Sequence, residues 1–165
     1  MKNRKIKNIS EIAKITKEAK RKGLRVVTTN GTFDILHVGH LRAIEIAKSR
    51  GDILIVGINS DSSVRAYKGK GRPIVGEKDR AEMIAGLQAV DYVFIFTDRD
   101  PRPWLKKIHT DIHVKGGDWK NPDKSRAIST IVEAPLLKGK GAELLLVNIV
   151  RGKSTTALIK KIKKL

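Results

Sequence analysis

Apolar and polar positions along the chain fall into short blocks with two periodicities. Ile9, Ile12, Ala13, Ile15 and Ala19 recur between charges at the spacing of one helical face. This predicts an amphipathic helix from Ile9 to Lys22, with Ser10 as N-cap and Gly23 as its stop. Arg25 to Thr29 is short, β-branched and followed by Asn30-Gly31, the pattern of a buried strand running into a tight turn. From Val38 the helical spacing returns: Leu41, Ile44, Ile46 and Ala47 interleave with Arg42, Glu45, Lys48 and Arg50, and Gly51-Asp52 closes the segment. Ile53 to Ile58 is almost continuously apolar, as expected of a parallel strand covered on both faces.

The second half repeats the alternation. Asn59 to Glu77 is polar, basic and Gly-rich and reads as a long loop, whose alternating Lys and Gly residues suit either a phosphate or plain solvation. Asp79 to Ala89 predicts a helix with Met83, Ile84 and Leu87 on its buried face. Tyr92 to Phe96 follows as a third strand, and Pro101 to Ile108 as a short helix with Pro near its start. Ile112 to Val114 is a fourth strand ending in Lys115-Gly116-Gly117-Asp118. A helix from Ser125 to Leu137 interrupted by Pro135, a fifth strand at Leu144 to Val147, and a last helix capped by Ser154 and ending at Leu165 complete the pattern. Strands alternating with helices predict an α/β fold: a doubly wound, five-stranded parallel sheet with helices on both faces. Residues 1–165 are expected to form one domain, with the helix of residues 1–23 packed on it.

Composition narrows the function classes. No apolar run reaches the roughly 20 residues needed to span a bilayer, so no membrane partner is expected. The Lys-rich start is followed by no apolar block with a cleavage site, and there are no cysteines, so a cytoplasmic location is the expectation. The net charge of +18 raises nucleic acid as a partner. However, residues 1–25 carry +8, residues 151–165 carry +6, and the central 26–150 only +4. The ends therefore read as solvated basic helix faces, and an aromatic content of 4% leaves little for base readout. Weak, salt-sensitive, non-specific binding is the most that this reading allows.

Candidate chemistry concentrates where the first strand passes into the second helix. His37 and His40 lie at the helix mouth, where free backbone N–H groups and the helix dipole favour an anion. Gly39 between them leaves the backbone open to a ligand. Either histidine alone reads as a cap or a surface residue. Two of them three apart, behind an Asn-Gly-Thr-Phe-Asp turn, make a specific conjunction. Gly152-Lys153-Ser154-Thr155 imitates the end of a phosphate loop, but the glycine that such a loop needs is Val147. His109 and His113 straddle Asp111 and read as structural. No carboxylate or third histidine stands by His37 and His40 at metal-site spacing, so no metal-ligating residue is assigned.

Gly31-Thr32-Phe33-Asp34 followed by His37-Val38-Gly39-His40 resembles the HxGH nucleotidyltransferases, within them the cytidylyltransferase-like group, and most strongly the adenylyltransferases acting on heptose 1-phosphate. The likeness runs from about Val26 to Ile162 and includes Lys68-Gly69, Arg72-Pro73, Arg80, Lys115-Gly116-Gly117-Asp118 and Ser154-Thr155-Thr156. It implies a Rossmann-like sheet and transfer of AMP from ATP to a sugar phosphate, with release of pyrophosphate. It implies catalytic roles for His37, His40 and Lys68. Thr32, Phe33, Asp34, Gly39, Asp118, Ser154, Thr155 and Thr156 would hold the nucleotide, while Lys70, Arg72 and Arg80 would meet substrate phosphate. Mg²⁺ would bridge the triphosphate. The glycerol-3-phosphate cytidylyltransferases are also similar, but their arginines are missing at Ala89 and Ile149. The expected partners are thus a nucleoside triphosphate and a sugar phosphate, with a homodimer as the expected assembly.

Overall fold

The computed structural model describes residues 3–117, 130–148 and 155–164. Helix α1 (Ile9–Arg21) is followed by β1 (Val26–Gly31), α2 (Val38–Lys48), β2 (Ile53–Asn59), α3 (Asp61–Lys68), α4 (Glu77–Ala85), β3 (Tyr92–Phe96), α5 (Arg102–Lys107), β4 (Ile112–Gly117), α6 (Ala134–Gly139), β5 (Glu143–Asn148) and α7 (Thr155–Ile162). The strands form one parallel sheet in the order β3-β2-β1-β4-β5. This is the Rossmann-like, doubly wound arrangement that the alternation predicts.

Strand residues alternate between two apolar layers, as a period of two requires. Val27, Leu54, Val56, Val93, Ile112 and Val114 pack with Ile44 and Ala47 of α2 and with Ala81, Ile84 and Ala85 of α4. Val26, Ile55, Phe94 and Phe96 face the other way, against Ile12 and Ala19 of α1, Trp104 and Leu105 of α5, and Leu137 of α6. The amphipathic N-terminal helix thus covers the sheet. The chain entering it is tied to the β3 edge, where Lys7 N–H donates to the Val93 carbonyl at 2.9 Å.

Four local expectations differ. The cap of α1 is Asn8, not Ser10: its side chain accepts from Glu11 N–H while the Glu11 carboxylate accepts from Asn8 N–H, a reciprocal capping box. The polar stretch after β2 holds helix α3, capped by Ser60, whose hydroxyl accepts from Ser63 N–H at 3.1 Å. Its few apolar residues hid it, since Val64 alone of its aliphatic side chains is core. In α4 the buried face is Arg80, Ala81, Ile84 and Ala85, and Met83 is 50% exposed. Pro135 lies in the first turn of α6, where its missing N–H costs nothing, and residues 125–129 of the helix expected from Ser125 lie outside the described residues.

Candidate active site

The strand order reverses between β1 and β4, and ligands of open α/β sheets collect at such a switch point. The β1–β4 ladder ends at Thr29↔Val114, and beyond it the strands part around a cavity of about 230 Å³. Thr29 to Phe33, Gly39, His40, Ala43, Ile44 and Gly116 line it.

The loop leaving β1 turns sharply. Phe33 adopts a left-handed φ of 49°, and its ring folds back against Gly31, where a Cβ would stand 2.9 Å from the ring. Glycine is therefore needed at 31 for this packing. The Phe33 ring meets His40 edge-on, with centroids 5.2 Å apart. His37 is the N-cap of α2: its Nδ1 accepts from Gly39 N–H at 3.1 Å, so the neutral ring carries its proton on Nε2. The His37 and His40 rings stack with centroids 3.8 Å apart and 19° between planes. Val38 and Gly39 thus place the two imidazoles side by side at the helix mouth.

Burial, reinforced by the charges of His37 and Lys68, pushes His40 down to about 4, and burial lowers His37 as well. Both rings are neutral N–H donors at neutral pH. Burial and the Arg72 guanidinium lower Lys68, the last residue of α3. A cluster of positive charge held partly out of water is suited to an anion. The depressed histidines also fix a pH dependence. Between pH 6.5 and about 4 the unfolded imidazole takes up a proton that the folded His40 does not. Stability therefore falls as pH drops through that window. The urea midpoint should be lower at pH 4.5 than at pH 7, with a smaller difference in His40→Gln; an equal difference in the variant contradicts the assignment.

The basic loop is fixed from below. Asp34, 3% exposed, accepts from Ile74 N–H at 2.7 Å and Val75 N–H at 3.0 Å through Oδ1, and its Oδ2 forms an ion pair with Arg72 at 2.7 Å. The residue expected to hold nucleotide instead orients the loop that carries Lys70 and Arg72. Arg80 differs in the same way from an arginine offered to substrate phosphate. It is 1% exposed and donates to the carbonyls of Val75, Thr32 and Asn59 and to Asp61 Oδ1. Four of its five N–H donors are thereby engaged, joining the β1 loop, the end of β2 and the start of α3.

Thr32, Phe33, Gly39 and His40 thus share one cavity, with His37 stacked on its wall. Thr32 Oγ1 is hydrogen-bonded to the Tyr67 hydroxyl, which brings the end of α3 to the cavity mouth. At the start of α7, Thr155 Oγ1 donates to the Ile35 carbonyl at 3.4 Å, and Thr156 is exposed beside it. Asp118 and Ser154 lie outside the described residues. Sequence reasoning missed Asn30, whose buried Oδ1 lines the cavity without a hydrogen-bond partner, and Tyr67. Asn30 was hidden by its Asn-Gly context, which signals a turn more strongly than a site.

The Cytidylyltransferase-like family matches residues 28–161. The chain belongs to that family of nucleotidyltransferases. Among its relatives, the bifunctional protein HldE of a Nitratiruptor species is 44% identical over 158 residues, covering 96% of this chain. The bifunctional protein HldE of Sulfurimonas denitrificans is 47% identical over the same length, again 96% of the chain. The chain spans only 32% and 31% of those two proteins. A solved lipopolysaccharide core biosynthesis protein from Thermoplasma volcanium superposes with a TM-score of 0.60 at 30% identity, covering 79% of this chain and all of that one. An Archaeoglobus fulgidus structure at 19% identity, covering 78% of this chain and 93% of its own, shares the fold with a TM-score of 0.54.

No described helix of this cytidylyltransferase-like chain is long and apolar enough to cross a membrane. Among the described residues no three His, Asp or Glu side chains gather as a metal site.

Proposed function

We propose that the chain transfers AMP from ATP to a sugar 1-phosphate, with heptose 1-phosphate as the leading acceptor, and releases pyrophosphate. The observation that carries this reading is the stacked, neutral His37–His40 pair at the mouth of α2, opening on the cavity at the β1–β4 fork. An acceptor phosphate oxygen forms a bond to the α-phosphorus. The bond from that phosphorus to the bridging oxygen breaks, and its electron pair leaves with pyrophosphate. No protein nucleophile enters, so positioning and charge stabilisation supply the rate.

In this scheme His37 Nε2–H and an N–H of His40 donate to the charge developing on the triphosphate. Lys68, Lys70 and Arg72 neutralise its phosphates, and Thr155 and Thr156 at the mouth of α7 complete the cradle. Asp34 and Arg80 act through the loops they hold. Asp34 is engaged with Arg72 and backbone amides, and Mg²⁺ accompanying the triphosphate would offset its charge.

ATP is favoured over CTP because the arginines of the similar cytidylyltransferases are missing at Ala89 and Ile149. The acceptor rests on the resemblance of the whole chain to the heptose 1-phosphate adenylyltransferases. The test is a matrix of ATP, CTP, GTP and UTP against heptose 1-phosphate, glycerol 3-phosphate and FMN, read by pyrophosphate release. Turnover should be highest for ATP with heptose 1-phosphate. Preference for CTP with glycerol 3-phosphate would overturn the choice of substrates and leave the mechanism standing.

A further inference from the structure

On the opposite face of β4 from Ile112 and Val114, beside Trp104, lies a buried polar cluster that the proposed chemistry does not use. His113 is fully buried, and its Nδ1 is 2.8 Å from Thr28 Oγ1. Thr28 Oγ1 is also 2.9 Å from Thr110 Oγ1, and the Thr110 hydroxyl donates to the Ile112 carbonyl at 3.0 Å. Each hydroxyl has one proton. Thr110 spends its own on Ile112, so Thr28 donates to Thr110 and His113 Nδ1–H donates to Thr28. Burial lowers His113, so the ring is neutral, and its other nitrogen stands 3.7 Å from Glu133 Oε1, too long for a hydrogen bond. Glu133, with its side chain 1% exposed just before α6, is ion-paired with Lys115. Burial would raise this carboxyl, but the Lys115 ammonium beside it brings it down.

The position of this cluster gives it a purpose. The backbone ladder from β1 to β4 stops at Thr29↔Val114, where Thr29 Oγ1–H donates to the Val114 carbonyl at 2.9 Å. Each wall continues against its outer neighbour, β1 to Gly31↔Ile58 and β4 to Gly117↔Asn148. Past the fork no ladder hydrogen bond sets the distance between the walls at Asn30–Thr32 and at Gly116. Buried ion pairs are poor sources of net stability compared with apolar packing, so stability alone does not account for a charged cluster at this point.

We propose that two contacts form a positioning clamp, the Thr28–His113 bond between β1 and β4 and the Lys115–Glu133 pair that braces β4 against the start of α6, and that this clamp sets the width of the nucleotide cavity. The clamp rests on the proposed nucleotidyl transfer for its consequence, but its geometry is testable without turnover. Two variants keep the shape of the site: Glu133→Gln removes the charge, and Thr28→Val removes both hydroxyl bonds while suiting a strand. In ligand-free protein, amide exchange at Val114 to Gly117 should quicken in both, while β2 and β3 keep their protection. KM for ATP, and Kd for ATP by calorimetry, should rise by about 10-fold. KM for the acceptor and kcat should change by less than about 3-fold, because the imidazole pair on α2 is untouched.

Unchanged exchange at Val114 to Gly117, or unchanged ATP affinity in both variants with only a lower Tm, would overturn the clamp. If the wild-type protein neither bound nor turned over ATP, the proposed function would fall separately, and the exchange pattern would still decide whether the clamp exists.

Discussion

Replacing His40 with alanine is expected to lower turnover by on the order of 10²–10³-fold, the usual cost of losing one preorganised donor to a developing charge. The ring lies in the cavity wall, stacked on His37 and held edge-on by Phe33. With its acidity shifted to about 4, it is a neutral donor across the whole range in which the enzyme would be assayed. Its contribution therefore comes from the geometry of an N–H and not from titration. The variant should stay folded, because the cavity already holds space beside this partly buried ring. Pyrophosphate release under saturating ATP and acceptor checks it, with circular dichroism as the control. Turnover equal to wild type would remove His40 from the mechanism.

The second large effect is on stability. Arg80→Ala should destabilise the chain by about 3–5 kcal/mol, the range for breaking a buried ion pair, and lower Tm by roughly 10 °C or more. The arginine pairs with Asp61 at 2.7 Å with its own side chain fully buried. Its removal also strands the carbonyls of Thr32, Asn59 and Val75. Arg80→Lys should recover little, since three donors on one ammonium cannot reproduce a planar fork that reaches four acceptors. Thermal melts of both variants are the check; full recovery by lysine would show that charge alone mattered.

These two residues also show how far the sequence could be read. The strand, loop and helix around His37 and His40 were legible because a period of two gives way to a helical period across an Asn-Gly turn. The spacing of the histidines then fixes their common end of α2. The five strands were legible as apolar blocks. Arg80 was not, because a sequence places a charge on a helix face without saying which carbonyls that face meets. Asp34 was named in the site but for a different partner, since its contacts at Arg72, Ile74 and Val75 lie about forty residues away in the chain. Helix α3 was hidden by polarity: its stability comes from caps and from Val64, with little apolar periodicity to announce it. Asn30 became a site residue only once β1 and β4 were neighbours, a pairing that skips two intervening strands.

Labelled ATP shows directly which phosphorus is attacked. With ³²P at the α-position, the label should pass into a sugar nucleotide in the presence of heptose 1-phosphate. With ³²P at the γ-position, all of it should leave as pyrophosphate. Label from the γ-position on the acceptor, or α-label that never reaches a sugar product with any acceptor of the matrix, would contradict nucleotidyl transfer at the His37–His40 site.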